Sequence, residues 1–257
     1  MKPSNKLIRK KITIELRNAI CSCYDRLRVN LLNLNICVLN EPYFYLECYL
    51  WTHLLNKRES EFSDVKSFHI VATTLIEDKN IVWYKKLDVI DNTLMYLYSR
   101  LHMNSLLSSL MVPIVNSFTK DLNSAFERLH FAYRILNGQV VEISSEEEIK
   151  TIETAMENCR DNIKMHLRKA LELYAKRPKP DAQNSIKDSI SVVEAYCREI
   201  TGAKSLGTAL NALSEKGVVI PNVLKSAFEK LYGYTNDAKL GIRYALMDAD
   251  GEVCAVC

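Results

Sequence analysis

The apolar side chains of this 257-residue chain recur at intervals of three and four residues over most of its length. That spacing places them on one face of an α-helix. The chain also contains only seven glycines and six prolines, too few for the many tight turns of a β-sandwich or β-barrel. These features predict an all-α fold, a multi-helix bundle with long helices and few loops.

The first part of the chain, residues 1–125, is predicted to be a helical region. Its predicted helices cover residues 7–38, 42–55, 81–101 and 105–130, with an irregular connection over 60–80. Pro113 would kink or break the last of these helices, because proline lacks the backbone N–H that a helix interior needs.

Residues 131–145 have a different pattern, in which apolar and polar residues alternate on both sides of Asn137 and Gly138. This dipeptide tolerates the positive φ angles of a two-residue hairpin turn. The pattern predicts one small β-hairpin near the middle of the chain. It also marks the boundary of a second helical domain, residues 126–257.

The second domain has clear helix boundaries. Ser144 or Ser145 would cap a helix whose apolar seam continues unbroken over residues 149–174. Asp181 would begin the next helix, which Gly202 would end. The predicted inward residues of that helix are Ile186, Ile190, Val193, Cys197 and Ile200.

Shorter helices are predicted after that, from Ser205 to Gly217 and from Pro221 to Gly233. Residues 240–248 would begin a last helix. Short loops between such helices are typical of a bundle.

Several classes of function have no support in the sequence. The CxxC pair Cys254 and Cys257 stands alone, so no metal site is predicted. No phosphate-binding glycine loop and no nucleophile motif occurs, and no cofactor is predicted. No apolar run is long enough for a membrane span, and no secretory signal is present, so the chain is expected in the reducing cytoplasm, away from the membrane.

One basic pattern favours nucleic-acid binding, although the net charge of the whole chain is only +3. Arg160, Lys164 and Arg168 lie four residues apart and would form a ridge on one helix, with Lys176 and Arg177 near its end. Such a ridge could follow a phosphate backbone. The alternative is a solvated face, because acidic residues that could pair with these cations interleave with them: Glu157, Asp161 and Glu172.

A second pattern places Tyr232 and Tyr234 on either side of Gly233, followed by Arg243. Arginine beside tyrosines suits contacts with phosphates and bases. The alternative is a packed aromatic turn.

Four sequence blocks, at residues 133–158, 166–202, 205–213 and 227–246, resemble the amino-terminal-domain family of AbiJ-type abortive-infection proteins. The first reads YRILNGQVVEISSEEEIKTIETAMEN and the last includes AFEKLYGYTND and GIRYAL. The resemblance covers roughly residues 126–248. It implies an anti-phage role and kinship with HEPN domains, which usually dimerise and of which many are metal-independent ribonucleases using an arginine and a nearby histidine.

The chain departs from that pattern in its candidate catalytic residues. Tyr244 follows Arg243 where the family tends to have histidine, and Gln183 precedes Asn184 where it tends to have arginine. A tyrosine with an ordinary pKa near 10 is a poor general base at neutral pH. The family also continues into a further apolar helix, so the domain is expected to lack its last helix.

Three functions are therefore predicted. The first is a non-catalytic sensor or binding module of anti-phage defence, with RNA as its ligand. The second is a ribonuclease that uses Arg243, Asn184 and either Tyr244 or Tyr234. The third is a structural or antitoxin-like protein that forms a homodimer or binds another chain.

Overall fold

The computed structural model describes residues 7–34, 42–63, 71–101, 105–143 and 146–236. Within these ranges the chain is all-α apart from one two-stranded antiparallel hairpin, which confirms the predicted fold class. Contacts divide the chain into two compact units, residues 1–149 and 150–257. The domain boundary predicted between residues 125 and 126 stays a prediction.

The helices of the first unit pack around one apolar core. In α1 the buried residues Leu16, Ile20 and Leu27 recur with helical spacing, and α1 and α5 both pack against α6. Pro113 lies inside α6 and does not end it. The elements are α1 Ile14–Leu32, α2 Pro42–Tyr49, a π-helical turn Leu50–Leu54, α3 Glu59–Ser63, α4 Val71–Glu77, α5 Trp83–Leu101 and α6 Ser105–Arg128.

The first helix begins later than predicted. Thr13 caps α1, since its hydroxyl oxygen accepts a hydrogen bond from the Leu16 N–H at 3.2 Å. Before this cap the chain is not helical, and Ile8 forms a parallel β-bridge with Phe131. The helix predicted from residue 7 was therefore wrong over its first turns, because pairing with the segment before the hairpin satisfies those backbone groups instead.

The helix predicted over residues 42–55 is confirmed, with a local change of pitch. After α2 the chain enters the π-helical turn, in which the Leu55 N–H donates to the Leu50 carbonyl at 3.1 Å. π-Helical turns are rare and are often found at functional sites.

The connection predicted over residues 60–80 was wrong, because α4 lies within it and α3 overlaps its start. Helix α4 is held at both ends by buried side chains from other helices. A Glu47 carboxylate oxygen accepts from the Ala72 N–H at 3.2 Å, and the Lys86 ammonium donates to the Ile76 carbonyl at 2.6 Å. Both side chains come from outside the local sequence of α4.

The predicted hairpin is confirmed, with β1 Tyr133–Leu136 paired to β2 Gln139–Glu142. Leu136 pairs with Gln139, so Asn137 and Gly138 form the turn, with φ angles of 50° and 78°. Both angles are positive, as this turn type requires.

The second unit has a smaller core than the first. Phe228 packs against its buried members, which are Cys197, Leu206, Ala209, Leu210 and Leu213. Helix α7, Glu146–Asn158, crosses the boundary between the two units at residues 149 and 150. The elements that follow are α8 Asp161–Ala175, α9 Ala182–Thr201, α10 Leu206–Ala212, a 3-10 turn Ser214–Lys216 and α11 Asn222–Asn236.

The unbroken helix predicted over residues 149–174 was wrong. Helix α7 ends at Asn158, and Arg160 is the extended N-cap of α8, with φ −71° and ψ 161°. Asparagine and aspartate are weak helix formers, and Asp161 is favoured in the first turn of a new helix. The predicted caps Ser144 and Ser145 lie outside the described residues.

The predicted boundaries of α9 are confirmed. Asp181 caps it, and Gly202 follows it with a φ of 73°. Gly233, in contrast, does not end α11, which continues to Asn236. The last helix predicted from residue 240 lies outside the described residues.

Candidate nucleic-acid interface

Helices α8 and α9 form an antiparallel pair, and this pair positions most of the predicted site residues. The Asp181 N–H donates to the Leu173 carbonyl at 3.0 Å, and the buried Ser185 hydroxyl donates to the Ala170 carbonyl at 2.8 Å. These bonds fix the register of the two helices. The cations of α8 are therefore set against the carboxylates of α9.

Three cations of this segment are paired with α9 or its cap. Arg160 lies 2.7 Å from Glu199, Lys169 lies 3.7 Å from Asp188, and Lys176 lies 3.2 Å from Asp181. Arg160 and Lys176 were predicted to bind nucleic acid, and the structure gives each of them an intramolecular partner. Their charge is partly neutralised, which reduces their attraction for a phosphate.

Lys164 and Arg168 differ from those three cations. Neither side chain makes an ion pair with any residue that the structure describes, and Arg168 is exposed while Lys164 is half-buried. They lie one turn apart on α8, as predicted. Arg177, at the end of the predicted ridge, donates to the Ala175 carbonyl at 3.2 Å and is half-buried.

Asn184 has a local structural role. Its side-chain amide donates to both Asp181 carboxylate oxygens, at 3.0 and 3.1 Å. These bonds, together with Lys176, lower the pKa of Asp181 below its ordinary value. The amide is thus already occupied by the cap of α9.

The predictions missed a contact between His166 and Asp188. The His166 Nδ1 lies 3.4 Å from one Asp188 oxygen, and Lys169 approaches the other. Asp188 is only 6% exposed, whereas Ile186, which was predicted to point inward, is 43% exposed. The polar residues Ser185 and Asp188, one turn apart, were the signal, but their meaning depends on the side chains of α8 that they face.

The two tyrosines of α11, Tyr232 and Tyr234, lie in different environments. The Tyr232 hydroxyl donates to Glu194 at 3.1 Å, and its ring packs on the core of the second unit. Tyr234 is 49% exposed. Tyr232 therefore matches the alternative of a packed ring, and Tyr234 remains accessible.

Arg243 and Tyr244 lie outside the described residues. So do Cys254 and Cys257. Within the described ranges, no group of three or more histidine, cysteine, aspartate or glutamate side chains could hold a metal ion.

In its described residues the chain is an all-α protein with one hairpin, and helices α8 and α9 form a basic pair. The family model for AbiJ N-terminal domain 4 matches residues 1–158. The chain belongs to this family, which associates it with abortive infection, an anti-phage response. The predicted family is confirmed. The residues that match its model lie mostly before residues 126–248, the range over which the sequence resembles the family.

The other comparisons add no relative, since no curated protein and no solved structure shows a significant match to the chain. In the part of the chain that the structure describes, every helix is too short or too polar to cross a membrane.

Proposed function

We propose that this chain is a non-catalytic RNA-binding module of anti-phage defence. The observation that carries the proposal is the charge of residues 160–179, which contain seven lysines and arginines and only two acidic residues. Family membership supplies the defence setting. Nucleic acid is the ligand that a concentrated positive charge attracts most strongly.

The contacts of α8 indicate which cations would bind RNA. Arg160, Lys169 and Lys176 already hold carboxylates. Lys164 and Arg168 have no such partner among the described residues, so a phosphate would cost them no existing ion pair. We therefore assign phosphate contacts to Lys164 and Arg168, and a positioning role within the α8–α9 pair to Arg160.

The test is RNA binding by a Lys164→Ala/Arg168→Ala double variant over a range of salt concentrations. Each lost phosphate contact on a single strand lowers the slope of log affinity against log salt by about 0.7, so the double variant should lose about 1.4. A matched control is Lys79→Ala/Lys120→Ala, which removes two exposed lysines of the first unit. Equal slopes for the wild type and the Lys164→Ala/Arg168→Ala variant would contradict the proposal.

A ribonuclease is the second candidate, and the His166–Asp188 contact favours it. A carboxylate beside Nδ1 can fix the tautomer of the ring and leave Nε2 to accept a proton. Asn184 is less suited to catalysis than predicted, because Asp181 holds its amide. This candidate expects metal-independent RNA cleavage that is lost in Arg243→Ala or His166→Ala.

An assembly role is the third candidate, and α11 provides its support. Val223 is 84% exposed, Leu231 45% and Tyr234 49%. They lie at helical spacing on one face, which suits a second copy or another protein chain. A monomer at all concentrations in light scattering would count against a homodimer.

A further inference from the structure

The first unit carries an aromatic row. Tyr45, Tyr49 and His53 are four residues apart along α2 and the π-helical turn. The rings of Tyr49 and His53 are stacked, with centroids 4.3 Å apart and an interplanar angle of 19°. Tyr45 is 45% exposed and His53 is exposed as well.

Two neighbouring side chains, Tyr96 and Thr52, contact the stacked rings. Tyr49 packs on Tyr96 with a centroid distance of 5.1 Å, and the Thr52 hydroxyl lies 2.8 Å from the His53 Nδ1. One face of the His53 ring rests on Tyr49. Because His53 is exposed, its other face is accessible to a planar ligand.

Charged side chains of both signs lie near the row, and Arg100 lies over the Tyr96 ring, 4.7 Å from its centroid. Lys57 lies over the Trp51 ring, 4.0 Å from its centroid, and Arg58 is exposed beside it. Glu59 and Glu61 are exposed on α3. Substituting Tyr45 and His53 would leave all of these charges in place, so the stacking of a ligand can be tested separately from its electrostatic attraction.

We propose that Tyr45 and His53 form a base-stacking platform for single-stranded RNA. Unpaired bases stack on exposed aromatic rings with little dependence on sequence, whereas the bases of a duplex are already stacked on each other. This inference rests on the proposed RNA binding and adds that the RNA is single-stranded. It assigns the stacking to rings of the first unit.

The experiment compares the full-length wild type with a Tyr45→Leu/His53→Leu variant, using a labelled oligouridylate and an RNA duplex of the same length. Removing the two rings should weaken oligouridylate binding by about thirtyfold or more at every salt concentration, with an unchanged salt slope. Duplex binding should not change. A Tyr45→Phe/His53→Phe variant keeps the rings and should keep the affinity, and Tyr196→Leu, which removes a 49% exposed tyrosine of the second unit, is the control.

Several outcomes would overturn the inference. If the wild type binds the oligouridylate and the Tyr45→Leu/His53→Leu variant binds it equally well, the rings serve another contact, such as a protein partner. An equal loss on the duplex would also overturn it, as would a failure of the phenylalanine variant to restore affinity. If the wild type binds neither RNA, the proposed function fails together with this inference.

Discussion

Glu47 makes the stability of the first unit depend on pH. Its side chain lies on α2 with no exposed surface, and one carboxylate oxygen accepts from the Ala72 N–H at the start of α4. Burial raises the pKa of Glu47 from its ordinary 4.5 to about 7, against hydrogen bonds from Tyr43 and from the backbone of α4 that lower it. Glu47→Gln keeps the size and the acceptor oxygen but cannot ionise.

The sign and size of the effect follow from proton linkage. Between pH 4.5 and 7 the folded chain keeps a proton that the unfolded chain releases, so the free energy of unfolding falls as the pH rises. At about 1.4 kcal/mol for each pKa unit, the total loss is about 3 kcal/mol. Most of it, about 2.5 kcal/mol, falls between about pH 5 and pH 8.

Urea unfolding monitored by tryptophan fluorescence measures this effect. Both tryptophans, Trp51 and Trp83, lie in the first unit, so their signal reports its unfolding. Glu47→Gln should remove most of the pH-dependent loss, and Glu127→Gln, which changes an exposed glutamate of the same unit, should leave it intact. Parallel pH profiles for the wild type and Glu47→Gln would refute the reasoning.

Three further substitutions test a turn glycine, a buried hydrogen bond and a helix cap. Gly138→Ala should destabilise the first unit by about 1–2 kcal/mol in urea, since its φ is 78° and a Cβ would lie 2.8 Å from the Tyr98 ring; an unchanged midpoint would contradict this. Lys86→Met removes the buried donor to the Ile76 carbonyl and should cost about 1–2 kcal/mol in the same assay, whereas equal stability would show that the bond contributes nothing net. Asp181→Ala removes the cap of α9 and should cost about 1 kcal/mol, seen as faster hydrogen exchange in its first turn, and unaltered exchange would argue against the cap.

Features encoded by neighbouring residues could be predicted from the sequence. Asn137 and Gly138 specify the hairpin because they tolerate the two positive φ angles of its turn. Asp181 and Gly202 specify the ends of α9 for similarly local reasons. Each signal lies within a few residues of the structure that it determines.

Helix α4 could not be predicted in this way. Its ends are held by Glu47 and Lys86, which lie on α2 and α5. The short segment between its ends has little helical preference of its own, so tertiary contacts decide its conformation. The break at Arg160 was missed because the apolar spacing continues across it.

The candidate site was predicted only in part, for a related reason. The spacing of Lys164 and Arg168 was visible in the sequence, but the pairing of Arg160 with Glu199 depends on the register of α8 against α9. The burial of Asp188 beside His166 depends on the same register. The number of charged residues can be read from the sequence, but which of them form ion pairs depends on how the two helices pack.

The central claim is that this chain binds RNA without cleaving it. The most direct measurement incubates the full-length protein with labelled single-stranded RNA at neutral pH in the presence of a chelator, and follows both fluorescence anisotropy and RNA length in the same sample. We predict saturable binding that weakens with salt, and RNA that stays intact. Cleavage that Arg243→Ala or His166→Ala abolishes, or the absence of binding by a preparation that unfolds cooperatively, would contradict it.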